Sequence, residues 1–237
     1  MEVSPPSFTE AVGWDSNMHS LDGFSPRWGW IKVDLKPLHT LHTTYRQKLS
    51  KINKLYSRNR ARGRKLYKKY AGRWRNRVKN YLCRLAKHLA TIFPAQHGFE
   101  KLEKQKMQKK RGRRWNRRLG EADWRFLVSL MRGWAPVVEV FPGYTSKTCS
   151  RCGEVNKALR SQRVFRCPHC GLEMDRQLNA CINIYHRMRG VSPQKEFKSS
   201  VGGLPLMGAE QKDPYEPVRG PNDVVKPQVY ICLPLTT

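Results

Sequence analysis

The sequence predicts an α/β protein: a mixed sheet carrying a helical hairpin and a small metal-binding ribbon. Three observations lead there. Short strand-like stretches open the chain, with turn residues between them and acids at their ends. Two long runs follow in which apolar residues recur every three or four positions. Two C-x-x-C pairs lie further on, separated by the 14 residues 153–166.

Taken in order, AVGWD at 11–15 reads as a short buried strand ending in an acid. Residues 19–24 and 28–35 read as a second and a third strand, with Gly23, Ser25 and Pro26 marking the turn, so that the start is a hairpin meander. Asp15, Asp22 and Asp34 all fall in it; the last two read as a turn residue and a strand-end residue. Leu38, Leu41, Tyr45, Leu49, Ile52 and Tyr56 predict a helix with one apolar stripe. After a basic link at 57–65, Val78, Leu82, Leu85, Leu89 and Ile92 predict a second, and the two should pair as an antiparallel hairpin over about 37–93. Residues 94–98 break the helix. The basic run 104–118 reads as a loop or helix lead-in. Trp124, Leu127, Val128, Met131 and Trp134 mark another helix, and PVVEVF at 136–141 a buried strand. From Asp175 a last helix buries Leu178, Ile182 and Tyr185, and Asp175 suits its N-cap. Residues 191–237 are rich in Pro and Gly and read as a loosely ordered tail; VVKPQVYICL within it can make one strand.

The chain has 237 residues and a formal charge of +28. A balance so basic calls for a polyanion, above all nucleic acid. A membrane-surface role is the competing reading, but no run of 18 or more apolar residues is present, and the first ten residues are polar, with two acids, unlike a signal peptide. From 58 to 79 no acid interrupts the positive residues, which include Arg58, Arg60, Arg62, Arg64, Lys65, Lys68, Lys69 and Arg73. Solvated helices ordinarily mix both signs, so this stretch reads as a surface that follows phosphates. Lys109, Lys110, Arg111, Arg113 and Arg114 extend the same character. Tyr67, Tyr70 and Trp74 interleave with the first group, either to stack on bases or to pack the hairpin.

Cys149, Cys152, Cys167 and Cys170 offer four thiolates, which suit the tetrahedral preference of zinc. Gly153 and Gly171 follow the second cysteine of each pair, where a tight knuckle needs positive φ. Four cysteines complete the shell and leave His169 either facing solvent or bonding the backbone. The other three of the seven cysteines, Cys83, Cys181 and Cys232, read as small packed residues. Metal spacing in four of seven fits a reducing compartment.

The runs T-S-K-T-C-x-x-C-G, F-R-C-x-x-C-G and D-R-x-L-N-A-x-x-N-I resemble the end of the TnpB (OrfB) proteins of insertion-sequence transposons. These are RNA-guided DNA endonucleases related to type V CRISPR effectors. The resemblance runs from about Ala11 to Arg189. It implies a RuvC-like domain of the RNase H fold, with a zinc ribbon inserted just before the last catalytic Asp. By that resemblance Asp15 in VGWDSN, Glu100 in F-E-K-L and Asp175 are the catalytic acids, with Glu103 the near alternative to Glu100 and Asn179 in support. It also implies one structural zinc, two catalytic Mg²⁺ or Mn²⁺ ions, DNA and guide-like RNA as partners, and the prokaryotic cytosol or nucleoid as the location. The domains expected are 1–148 and 173–190 for the nuclease, 149–172 for the ribbon and 191–237 for the tail. In that family a long N-terminal recognition region precedes the first acid. Few residues do so here, so the expectation is a truncated or split copy, complemented by a separate half or a second copy. The alternative is a non-catalytic, zinc-containing DNA- or RNA-binding protein that keeps the nuclease fold.

Overall fold

The computed structural model describes residues 9–108, 112–159, 162–191 and 227–235. A six-stranded mixed sheet is built from β1 (Ala11–Ser16), β2 (Ser20–Ser25), β3 (Gly29–Asp34), β4 (Gln96–Glu100), β5 (Val137–Val140) and β8 (Val229–Cys232). Its order is β5-β4-β1-β2-β3-β8. The meander β1-β2-β3 is antiparallel, while β4 joins β1, β5 joins β4 and β8 joins β3 in parallel. β8 gives the VYIC strand its partner, the edge of β3. The rest of the expected tail, 192–226 and 236–237, lies outside the described residues.

Helices cover both faces, which the alternation of side chains along the strands requires. Val12, Trp14, Leu21, Ile31 and Val33 point to one face, where they pack with Leu38, Leu41 and Tyr45 of α1 (Lys36–Tyr56), Leu82, Leu85 and Leu89 of α2 (Arg60–Ile92), and Leu127 and Met131 of α5 (Trp124–Met131). On the other face Phe24 and Trp30 meet Leu178 and Ile182 of α6 (Arg176–Arg189). α6 lies almost on the strands: a Cβ at Gly13 would stand 2.5 Å from the Tyr185 amide nitrogen, so only glycine admits the helix there.

α2 is longer than its apolar stripe predicts. The stretch expected as a basic link is helical from Arg60 onward. Asn59 caps the helix, its Oδ1 accepting from the Arg62 amide at 3.0 Å. Arg and Lys are good helix formers, so charge alone does not end a helix. The basic run after β4 makes two short helices, α3 (Lys104–Gln108) and α4 (Arg113–Gly120). No helix among the described residues is long and apolar enough to cross a membrane.

Candidate functional site

Each C-x-x-C pair forms a knuckle. The Gly153 amide donates to the Cys149 carbonyl at 2.9 Å and the Gly171 amide to the Cys167 carbonyl at 3.1 Å; both glycines have positive φ, 81° and 71°. The second knuckle is framed by the hairpin of β6 (Val164–Arg166) and β7 (Glu173–Asp175). The four sulfurs lie within 4.8 Å of one another, with Cys149–Cys170 and Cys152–Cys167 at 3.6 Å. A tetrahedron of Zn–S bonds of about 2.3 Å needs sulfurs roughly 3.8 Å apart, so the set fits zinc. Burial pushes the Cys149 thiol far above its ordinary range, so a cation is needed to hold it as a thiolate. His169 is exposed and outside the set.

α6 grips the first knuckle from beneath. Asn179 Oδ1 accepts from the Ser150 amide at 3.0 Å, and its Nδ2 donates to the Thr148 carbonyl at 2.8 Å. Asn183 donates to the carbonyls of Thr145 and Thr148 at 2.9 and 2.7 Å. The amide expected to support Asp175 therefore holds the ribbon instead. Asn183 is not singled out by sequence, although its spacing of four from Asn179 puts both on one helix face.

The acids lie on the α6 face of the sheet. β1 and β4 run parallel with Trp14 beside Phe99, so the next residues in register are Asp15 and Glu100. Burial, and then the nearby Glu100 charge, lift the Asp15 carboxyl to about 7. Burial also raises Glu100, whose Oε1 accepts a short hydrogen bond from Thr145 Oγ1. Glu103 stands fully outside this pair, exposed and bonded to Lys106 at 2.9 Å. Asp22 sits directly across from Asp15 on β2 and is completely buried. The Asn17 amide joins them, donating to Asp15 Oδ2 at 3.0 Å and to Asp22 Oδ2 at 3.2 Å. Ser20 Oγ donates to the same Asp22 oxygen at 2.6 Å. Sequence suggests a turn residue at Asp22; it is instead a strand residue, and the strand register is the signal that it shares a face with Asp15.

Asp175 is turned elsewhere. Its Oδ1 caps α6, accepting from the Gln177 amide at 2.8 Å, and its Oδ2 meets Arg163 Nε at 3.3 Å. Gln177, one turn before Cys181, faces the strands and accepts from Lys32 Nζ at 3.4 Å. Among the described residues, the four cysteines form the cluster of ligand atoms within 4.8 Å of each other; no three acids come that close.

The basic stretch of α2 belongs to the helix that covers the opposite face of the sheet. Arg58 in the turn, and Arg60, Arg62, Arg64, Lys65, Lys68, Lys69 and Arg73 on α2, are all exposed. So are Arg113 and Arg114 on α4, while Lys109, Lys110 and Arg111 lie outside the described residues. Tyr70 and Trp74 pack against the core, Trp74 Nε1 donating to His42 Nδ1 at 3.2 Å. Tyr67 alone of the three is exposed.

The fold and site define an α/β protein whose sheet carries buried carboxylates beside a four-cysteine ribbon. Residues 132–184 match the family model described as Cas12f1-like, TNB domain. The chain is 35% identical over 192 residues to TnpB-like protein MJ1635 of Methanocaldococcus jannaschii, covering 81% of this chain and 45% of that protein. It is 39% identical over 153 residues to TnpB-like protein MJ0012 of the same organism, covering 63% and 70%. The chain belongs to the TnpB-like family. A solved structure of Cas12f1 with sgRNA and target DNA shares the fold at a TM-score of 0.53 and 18% identity, over 77% of this chain and 51% of that one. The chain thus spans about half the length of MJ1635 and of Cas12f1.

Proposed function

We propose that this chain is the nuclease part of a TnpB-type, RNA-guided DNA endonuclease of a transposon. The observation that carries the reading is the pair Asp15 and Glu100, partly buried side by side on neighbouring parallel strands in a chain of this family. Two carboxyls so placed repel one another when both are ionised, which raises the Asp15 pKa, and a bound cation is what would keep both as carboxylates at neutral pH. A strand order of 3-2-1-4-5, read from β3 to β5, supports an RNase H-like (RuvC) sheet. In this reading residues 1–148 and 173–190 make the nuclease, whose sheet β8 of the 191–237 segment completes at one edge, and 149–172 make a ribbon with one structural zinc.

The donor set suits a hard divalent cation, because Asp15 and Glu100 offer carboxylate oxygens and no soft atom. Bound there, Mg²⁺ or Mn²⁺ supplies a water of lowered pKa and neutralises charge at the scissile phosphate. Asn17 and Thr145 fix the two carboxylates by hydrogen bonds. Asp175 at the head of α6 is the third acid of the reading. The exposed bases of α2 and α4 track the phosphates of a guide RNA and a DNA strand.

The test is plasmid cleavage by the full chain with its co-purified RNA and Mg²⁺ or Mn²⁺. Asp15→Ala and Glu100→Ala should reduce cutting to background and leave DNA binding equal or slightly tighter, while Glu103→Ala cuts as the wild type does. Cutting by Asp15→Ala at the wild-type rate would overturn the reading. A second reading, a nucleic-acid-binding protein that does not cut, is favoured by the engagement of Asp175 with Arg163 and its own helix end. Salt-sensitive binding with no cleavage under any metal would select it.

A further inference from the structure

The loop that joins β5 to the first cysteine knuckle is held at two points by one side chain. Asn183 is buried on α6, and its Nδ2 donates to the carbonyls of Thr145 at 2.9 Å and of Thr148 at 2.7 Å. Thr148 directly precedes Cys149 of the ribbon. Thr145, also buried, donates from its Oγ1 to Glu100 Oε1. The Pro142 carbonyl, at 3.3 Å, is the other acceptor within reach of that hydroxyl, but a carboxylate accepts the stronger bond. Tyr144, just before Thr145, has φ 62°, a left-handed conformation disfavoured for a residue with a Cβ. Its side chain is mostly exposed, so core packing does not hold it there. Hydrogen bonds do: the Tyr144 carbonyl accepts from the amides of Lys147 and Thr148 at 3.0 and 2.8 Å and from Thr148 Oγ1 at 2.8 Å, while Asn183 fixes Thr145 and Thr148. A disfavoured backbone persists only where its surroundings over-determine it, and such residues gather at functional sites.

Resting on the metal-dependent reading, we propose that Asn183 is a positioning residue for Glu100. It acts through Thr145. By fixing the Thr145 backbone it keeps the hydroxyl on Glu100, and so keeps that carboxylate beside Asp15, where the divalent ion of that reading binds. The same amide holds Thr148, next to Cys149, so the ribbon and the acid pair are set from one anchor on α6. A carboxylate ligand deprived of the hydrogen bond that orients it loses affinity for its metal, about 10- to 100-fold.

The test reads metal affinity and needs no cleavage. The full chain carrying one zinc is titrated with Mn²⁺, and free Mn²⁺ is followed by electron paramagnetic resonance; the ion counted is the one that Asp15→Ala loses. Thr145→Val keeps the shape and removes the hydroxyl. It should weaken that ion about 10- to 100-fold with the zinc content unchanged, and Thr145→Ser should restore it. Asn183→Ala should weaken the ion as well, and in a Thr145→Val background should weaken it no further, since the two residues act in series. Thermal melts show which variants are folded; if Asn183→Ala is not, the smaller change Asn183→Ser goes through the same cycle with the same expectation. Wild-type Mn²⁺ affinity in Thr145→Val or in the folded Asn183 variant, or losses that add in the double variant, would overturn the proposal and leave the metal-dependent reading standing. No such ion in the wild type would overturn both.

Discussion

His97 has no room to be charged. It is fully buried on β4, Trp14 Nε1 donates to its Nδ1 at 2.9 Å, and its own Nε2 donates to the Phe93 carbonyl at 3.2 Å. Burial pulls its pKa from the ordinary 6.5 down to about 4. A base whose folded pKa is lowered contributes stability above its unfolded value, and that contribution is lost as pH falls through 6.5 toward 4. At ~1.4 kcal/mol per pKa unit the full loss is on the order of 3 kcal/mol. Urea denaturation should show a smaller drop between pH 7.5 and 5 for His97→Gln, which keeps an acceptor for Trp14, than for the wild type; equal drops would refute the assignment. At the ribbon, Cys149→Ser or Cys167→Ser should remove zinc and lead to aggregation, since a four-thiolate site contributes on the order of 10 kcal/mol to folding. Elemental analysis checks this: soluble, folded Cys149→Ser with a full equivalent of zinc contradicts it. The cysteines are legible because ligand spacing is local. The cap that Asp175 makes on α6 is legible as well; its pairing with Arg163 is not, because it depends on packing that no short motif records.

At the scale of the element, α2 is an exposed rod of one sign. Its 33 residues rise about 50 Å at ~1.5 Å each. Like charges at i,i+4 destabilise an isolated helix, so its apolar stripe on α1 and α5 must hold it. Neutralising Arg62, Arg64, Lys65, Lys68 and Lys69 together should weaken nucleic-acid binding at 50 mM salt. It should also lower the slope of log affinity against log salt by up to ~3 to 5, about 0.7–0.9 for each phosphate no longer neutralised. Filter binding across 50–200 mM salt measures this; an unchanged slope would separate these residues from the phosphates. The stripe itself is legible from periodicity. The start of α2 is not, since a basic run looks like a link until a cap such as Asn59 is recognised. Sequence also leaves Tyr70 and Trp74 undecided between stacking and packing, and the hairpin takes both inward.

For the whole molecule, the meander, the helical hairpin, β5 and the ribbon are all visible in the chain, because each is announced by strand-like stretches, helical period or cysteine spacing, whereas β4 comes only from the family resemblance. Sheet order and the pairing of the acids are not visible, since both come from long-range pairing: Asp15 meets Glu100 only once β4 docks on β1. On the proposed function, cleavage should vanish in Asp15→Ala while the fold and the zinc stay intact, for Asp15 is a β1 residue outside the four-cysteine set. The last strand carries a different consequence. Trp30 and Gln228, whose side chain accepts from the Trp30 amide at 2.6 Å, are 198 positions apart, and β8 follows directly. A ribosome would thus have made nearly everything else before that rim of the sheet found its neighbour. Until then β3 stays a bare margin, able to pair with any extended stretch that passes.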